Sequence, residues 1–147
     1  MKVVVSSVVP ALPARVFDAL IDPEVLRRCI PGCESLVAAG DDVYEATLKI
    51  GVAGLKGRYG GKATIREKKP PESLTLAFEG KGGPGFVRGS AAIRLTPEDG
   101  RTRVNCESDV QVGGLIAAVG SRLVEAASRK LADDFFRQLS VELSPPT

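Results

Sequence analysis

The residues able to do chemistry in this chain are few. Tyr44, Tyr59 and Ser108 offer hydroxyls, Cys29, Cys33 and Cys106 offer thiols, and no histidine is present. General acid–base catalysis most often uses an imidazole, and a carboxylate or lysine replaces it only when buried and perturbed. Glu107 and Asp109 fall on the outward side of their strand by alternation. Asp133 and Asp134 adjoin Lys130 in a helical stretch, where such charges form solvated pairs worth roughly a few tenths of a kcal/mol. Cys29 and Cys33 miss the two-residue spacing of a redox pair. Three thiols without a fourth ligand do not build a structural zinc site, so neither a metal nor a cofactor is expected. What remains is binding. An apolar space with one or two hydroxyls can hold a lipid-like or quinone-like ring, with Tyr44, Tyr59, Phe78 and Phe86 supplying ring contacts and Ser108 or a tyrosine hydroxyl fixing a carbonyl.

Such a space needs a sheet to carry those side chains. Lys2–Val9 reads as a β-branched strand ended by Pro10. Pro13 suits the first turn of a helix bearing Ala14, Val16, Phe17, Leu20 and Ile21, and Asp22-Pro23 stops it and starts a second short helix through Leu26. From Glu34 the pattern is strand and hairpin: 35–39, 43–52, 56–67, 73–80, 86–96 and 102–112. Their connections, Gly54-Leu55 among them, are short, which suits antiparallel neighbours and not parallel crossovers. Alternation gives one apolar face with Tyr44, Leu48, Phe78, Ile93 and Ser108, and one charged face. Glycines 51, 54, 57, 60 and 61 mark a bulge or bend that would make the sheet concave. The loops Ile30-Pro31-Gly32 and Gly82–Gly85, with Gly83 and Pro84, are candidates for a rim that opens at little cost.

After Gly113-Gly114 the period changes from 2 to 3.6, and residues 115–143 read as one long helix. It would lie on the apolar face through Leu115, Val119, Leu123, Leu131, Phe135 and Leu139. Its many small residues, Ser128 and Ala132 among them, allow close packing on the sheet or leave unfilled apolar space.

Composition excludes several classes. At 147 residues, 44% hydrophobic and 26% charged, the chain is one ordinary globular domain. No run approaches the roughly 20 apolar residues of a membrane span. The start shows no signal peptide, so a cytoplasmic location is expected. A net charge of +2 is scattered, and with no Trp the chain lacks the aromatic-interleaved basic stripe of a nucleic-acid surface.

Asp22-Pro23-Glu24, Cys29-Ile30-Pro31-Gly32-Cys33-Glu34, the Gly57–Gly61 segment, and Gly113-Gly114-Leu115-Ile116-Ala117 with Gly120-Ser121-Arg122-Leu123 together resemble the carbon monoxide dehydrogenase CoxG family. The resemblance runs over residues 1–143, leaving 144–147 as a tail. It implies an α+β helix-grip (START-like, SRPBCC) fold: a seven-stranded curved antiparallel sheet wrapped around a long C-terminal helix, with two short helices after the first strand. It also implies a cavity to which Phe17 contributes where an indole is common. The implied role is that of an accessory protein beside carbon monoxide dehydrogenases and related molybdenum hydroxylases, in maturation, membrane recruitment or quinone handling. Many members carry a C-terminal extension for membrane attachment; stopping at Ser144-Pro145-Pro146-Thr147 argues against direct anchoring, and peripheral contact at the inner face of the membrane stays compatible with it. The alternatives to a hydrophobic carrier are a docking module with a filled core and an enzyme working through Tyr44 or Tyr59.

Overall fold

A computed structural model describes residues 1–52 and 56–144. The expected Gly54-Leu55 connection and residues 145–147 lie outside them. The chain order is β1 (Lys2–Val9), α1 (Pro13–Leu20), α2 (Pro23–Cys29), β2 (Cys33–Gly40), β3 (Val43–Ile50), β4 (Gly57–Lys69), β5 (Ser73–Gly82), β6 (Gly85–Glu98), β7 (Arg101–Gly113), α3 (Leu115–Ala118) and α4 (Ser121–Leu143). The strands form one curved antiparallel sheet in the order β1-β7-β6-β5-β4-β3-β2. All neighbours except β1 and β7 are consecutive in sequence, so the sheet is a meander closed by returning β1 to the far edge.

Local chemistry sets the helix starts. Proline opens both α1 and α2, where its missing N–H is no loss, and Asp22 Oδ1 accepts the Glu24 N–H at 2.9 Å as a side-chain cap. Arg27 and Arg28 sit in the last turn of α2, complementing its dipole. Arg28 then pairs with Glu142 and ties α2 to the end of α4. Along its length α4 packs on β1, and Arg129 Nη1 donates to the Val4 carbonyl at 2.8 Å. One sheet edge is thereby covered by the helix the sheet encloses.

The expected single helix over 115–143 is divided. Gly120 takes φ 95° and ψ 150°, a conformation essentially confined to glycine, and separates the four-residue α3 from the 23-residue α4. α3 is held at the other side of the break: Ile116 is 1% exposed and its N–H donates to the Pro84 carbonyl at 3.0 Å. The glycines of β4 also differ from expectation. Pairing of β4 with β3 from Gly57 to Thr64, and with β5 from Tyr59 to Arg66, runs without a register shift, so no bulge lies at Gly57–Gly61.

The core falls into two parts. The larger gathers β1, α1, α2, one half of the sheet and the C-terminal half of α4, with Val9, Phe17, Val104, Phe136 and Leu139 buried. The smaller holds Ile50, Tyr59, Ile116, Val124 and Ala127. α4 crosses both in order, Val124 and Ala127 in one and Phe136, Leu139 and Leu143 in the other.

Candidate functional site

Between the two parts lies a hollow of about 360 Å³. Its origin is readable from cross-strand pairs. Gly61 stands opposite Ala46 on β3 and opposite Gly80 on β5, so three adjacent strands present almost no side chain at this level. Ala63 and Ser108 continue the small surface on the sheet, and Ser128 and Ala132 face it from α4. Larger groups close the walls: Tyr44, Leu48, Tyr59, Leu76, Phe78 and Leu131. Interiors normally pack without voids of this size, and the two-part core is the same interruption seen from its neighbours. Lys62 and Glu79 touch the lining beside the two glycines, but both are exposed and alternate to the outer face.

The polar atoms are few and mostly committed. The Tyr44 hydroxyl donates to the Ile21 carbonyl at 2.7 Å, and Ser128 Oγ donates to the Val124 carbonyl at 2.8 Å. Ser108 Oγ lies 3.7 Å from the Cys106 thiol, a weak contact that leaves its hydrogen-bonding capacity largely open. Burial pushes the Tyr44, Tyr59 and Cys106 groups above their usual ranges, which holds all three neutral near pH 7. Cys29, outside the hollow, is pushed up to about 11, chiefly by burial.

Of the residues expected to line a cavity, Tyr44, Leu48, Tyr59, Phe78 and Ser108 meet here, and Ile30 reaches the hollow from the turn after α2. Others do not. Phe17 and Ile93 are buried in the larger core, away from the lining. Phe86 lies on the outer face, with the Arg88 guanidinium 5.5 Å from its ring centre, as its even position beside the inward Val87 requires. Leu115, Val119 and Leu123 point outward, 71%, 41% and 41% exposed. The break at Gly120 changes the phase of the helix, so the inward stripe is Ile116, Val124, Ala127 and Leu131 instead.

The expected rim is also corrected in part. Pro31 and Gly32 do not line the hollow. Gly32 has φ 73°, its carbonyl accepts the Lys49 N–H at 2.8 Å, and a Cβ there would sit 1.9 Å from the Lys49 oxygen. Such a turn is a clasp, not a gate. Gly83 and Pro84 stand apart as well, with Pro84 packed over Gly57 and bonded to Ile116. The sequence reading missed Gly61, Gly80 and Ala46 as the floor; the signal was small residues at positions that the hairpin registers bring side by side.

A curved antiparallel sheet gripping a C-terminal helix, with two short helices after the first strand, places the protein in the START-like class of helix-grip folds. Within that class the chain belongs to the carbon monoxide dehydrogenase CoxG family, whose sequence profile matches residues 6–144. Among solved structures, a conserved protein from Geobacillus kaustophilus is 36% identical, covering 97% of this chain and 94% of its own, with a TM-score of 0.92. A Mycobacterium smegmatis protein (13% identity, 99% of this chain and 92% of its own, TM-score 0.74) is similar in fold. So is one from Chromobacterium violaceum (16% identity, 99% of each chain, TM-score 0.72). No curated protein matches. Among the described residues, no helix is long and apolar enough to cross a membrane.

Proposed function

We propose that this protein binds an uncharged hydrophobic molecule, lipid- or quinone-like, in the hollow between sheet and α4, without turning it over, as an accessory to a carbon monoxide dehydrogenase-type molybdenum hydroxylase. The observation that carries the reading is the patch of Ala46, Gly61 and Gly80, side by side on three strands beneath Ser128 and Ala132. Removing side chains from a core costs stability through lost contacts and residual cavity, so a space built by register on several elements calls for an occupant. Size limits that occupant to a ring system with a short tail inside about 360 Å³. Polarity limits it further. With the Tyr44 and Ser128 protons already given to backbone carbonyls, Ser108 is the hydroxyl suited to a ligand carbonyl. The family supplies the hydroxylase partner.

The test is native mass spectrometry of gently purified protein, followed by titration with a short-chain ubiquinone. A retained hydrophobic adduct, or saturable quinone binding lost in Ser128→Leu/Ala132→Leu, supports the carrier. Clean apo mass with no quinone binding in the unmodified chain overturns it. The exposed Leu115, Val119 and Leu123 favour a second reading, a module that docks on the hydroxylase while its interior stays empty of ligand. Pull-down with the hydroxylase, lost in Leu115→Ser/Leu123→Ser and indifferent to quinone, would select it.

A further inference from the structure

The two edges of the sheet are treated unequally. β1 is covered by α4 and carries Arg129 on its Val4 carbonyl. β2 receives α2 at its buried Leu36, but Ser35 and Val37–Gly40 are all exposed. Natural edge strands are usually blunted by lysine or proline. Residues 35–40, Ser-Leu-Val-Ala-Ala-Gly, contain neither, and no charge.

The direction of the backbone groups follows from two hydrogen bonds. Lys49 N–H donates to the Gly32 carbonyl at 2.8 Å, and the Asp42 carbonyl accepts the Ile65 N–H at 2.8 Å. Odd-numbered residues of β3 therefore turn their polar groups to β2, and even-numbered ones turn theirs to β4. On β2 the opposite residues, Ser35 facing Thr47 and Val37 facing Glu45, are consumed by that ladder. Leu36 and Ala38 are left presenting their N–H and C=O groups outward. Register shifts at Cys33/Ser35 and Ala38/Gly40 bound this stretch on both sides.

We propose that β2 pairs with β2 of a second copy, antiparallel about a two-fold axis through Val37. In that register Leu36 lies opposite Ala38 of the second copy, and each such pair exchanges both N–H···O bonds. Val37, 57% exposed on the outer face, meets its own counterpart in the close, non-hydrogen-bonded position, and Ser35 meets Ala39. Self-pairing thus places no like charges together, as a two-fold contact requires. A second copy is chosen over a foreign strand because the free groups are symmetric about one residue and the strand is uncharged, complementary to itself. Two sheets would join into one continuous sheet, leaving each hollow on its own inner face.

Sedimentation equilibrium of the whole chain across a concentration series is the direct test, with Val37→Lys and Ala38→Pro as variants. Val37→Lys sets two ammonium groups side by side, and Ala38→Pro deletes an outward N–H that the fold of one copy does not use. A concentration-dependent dimer whose Kd rises more than tenfold in both variants, with circular dichroism unchanged, is expected. A wild-type chain that stays monomeric to millimolar concentration overturns the proposal. So does a dimer indifferent to Val37→Lys, which would lie on another surface. If both variants lose their circular dichroism, Val37→Cys decides: oxidative cross-linking between copies supports the two-fold register, and failure to cross-link at dimeric concentration overturns it.

Discussion

Tyr44 and Ser108 face the same space and do different work. The Tyr44 hydroxyl is a tie between β3 and the end of α1, where Ile21 supplies the carbonyl. Tyr44→Phe should cost about 1–2 kcal/mol, since the buried carbonyl loses its donor, and leave quinone affinity within about twofold. Ser108→Ala should do the reverse, leaving the denaturant midpoint in place and weakening a carbonyl-bearing quinone several-fold. Urea melts paired with quinone titrations of the two variants separate these roles. The thiols give a pH prediction. Cys29 is raised in the folded state to about 11, so folding favours its protonated form. Its contribution is intact below the unfolded pKa, near 9, and is lost as pH rises to about 11. Cys33, Cys106, Tyr44 and Tyr59 are raised by burial as well and push the same way. Stability should therefore fall on going from pH 9 to 11, and Cys29→Ala should flatten part of that slope in urea melts at several pH values. Cys106 should alkylate far more slowly than Cys33 at pH 7 and be protected further by bound quinone, as read by peptide mass mapping.

At the scale of elements, Gly120 is the most informative position. A Cβ there meets nothing within 4 Å, so Gly120→Ala tests backbone strain alone. A cost of about 1–3 kcal/mol is expected in denaturant melts. The strands, their order and their antiparallel sense were legible because period-2 alternation and short turns leave few alternatives. The helix break was not, since Leu115, Val119 and Leu123 continue a spacing of four straight through Gly120 and look like an inward stripe. Only the packing of Ile116 under Pro84 reveals that α3 belongs to the β6–β7 end and not to α4. The site was half legible for a similar reason. Alternation names the face of Tyr44, Leu48, Tyr59, Phe78 and Ser108, whereas depth depends on what the opposite layer places there. Ile93 shares that face and yet ends in the larger core. Gly32 and Pro84 show the same limit: glycine and proline in a turn fit a loose loop or a tight clasp equally, and the contact that decides comes from another strand.

For the molecule as a whole, the parted core has a thermodynamic consequence. Five buried residues form the smaller cluster, too few to match the cohesion of the larger one. Amide exchange in β3 near Ile50 and in α4 near Val124 should therefore open at lower free energy than around Val104 and Leu139. An occupant touching Leu48, Leu131, Phe78 and Ala132 would act as mortar between masses that otherwise meet only through backbone. Its arrival would be recorded less in shape than in synchrony, as two yielding events merge into one.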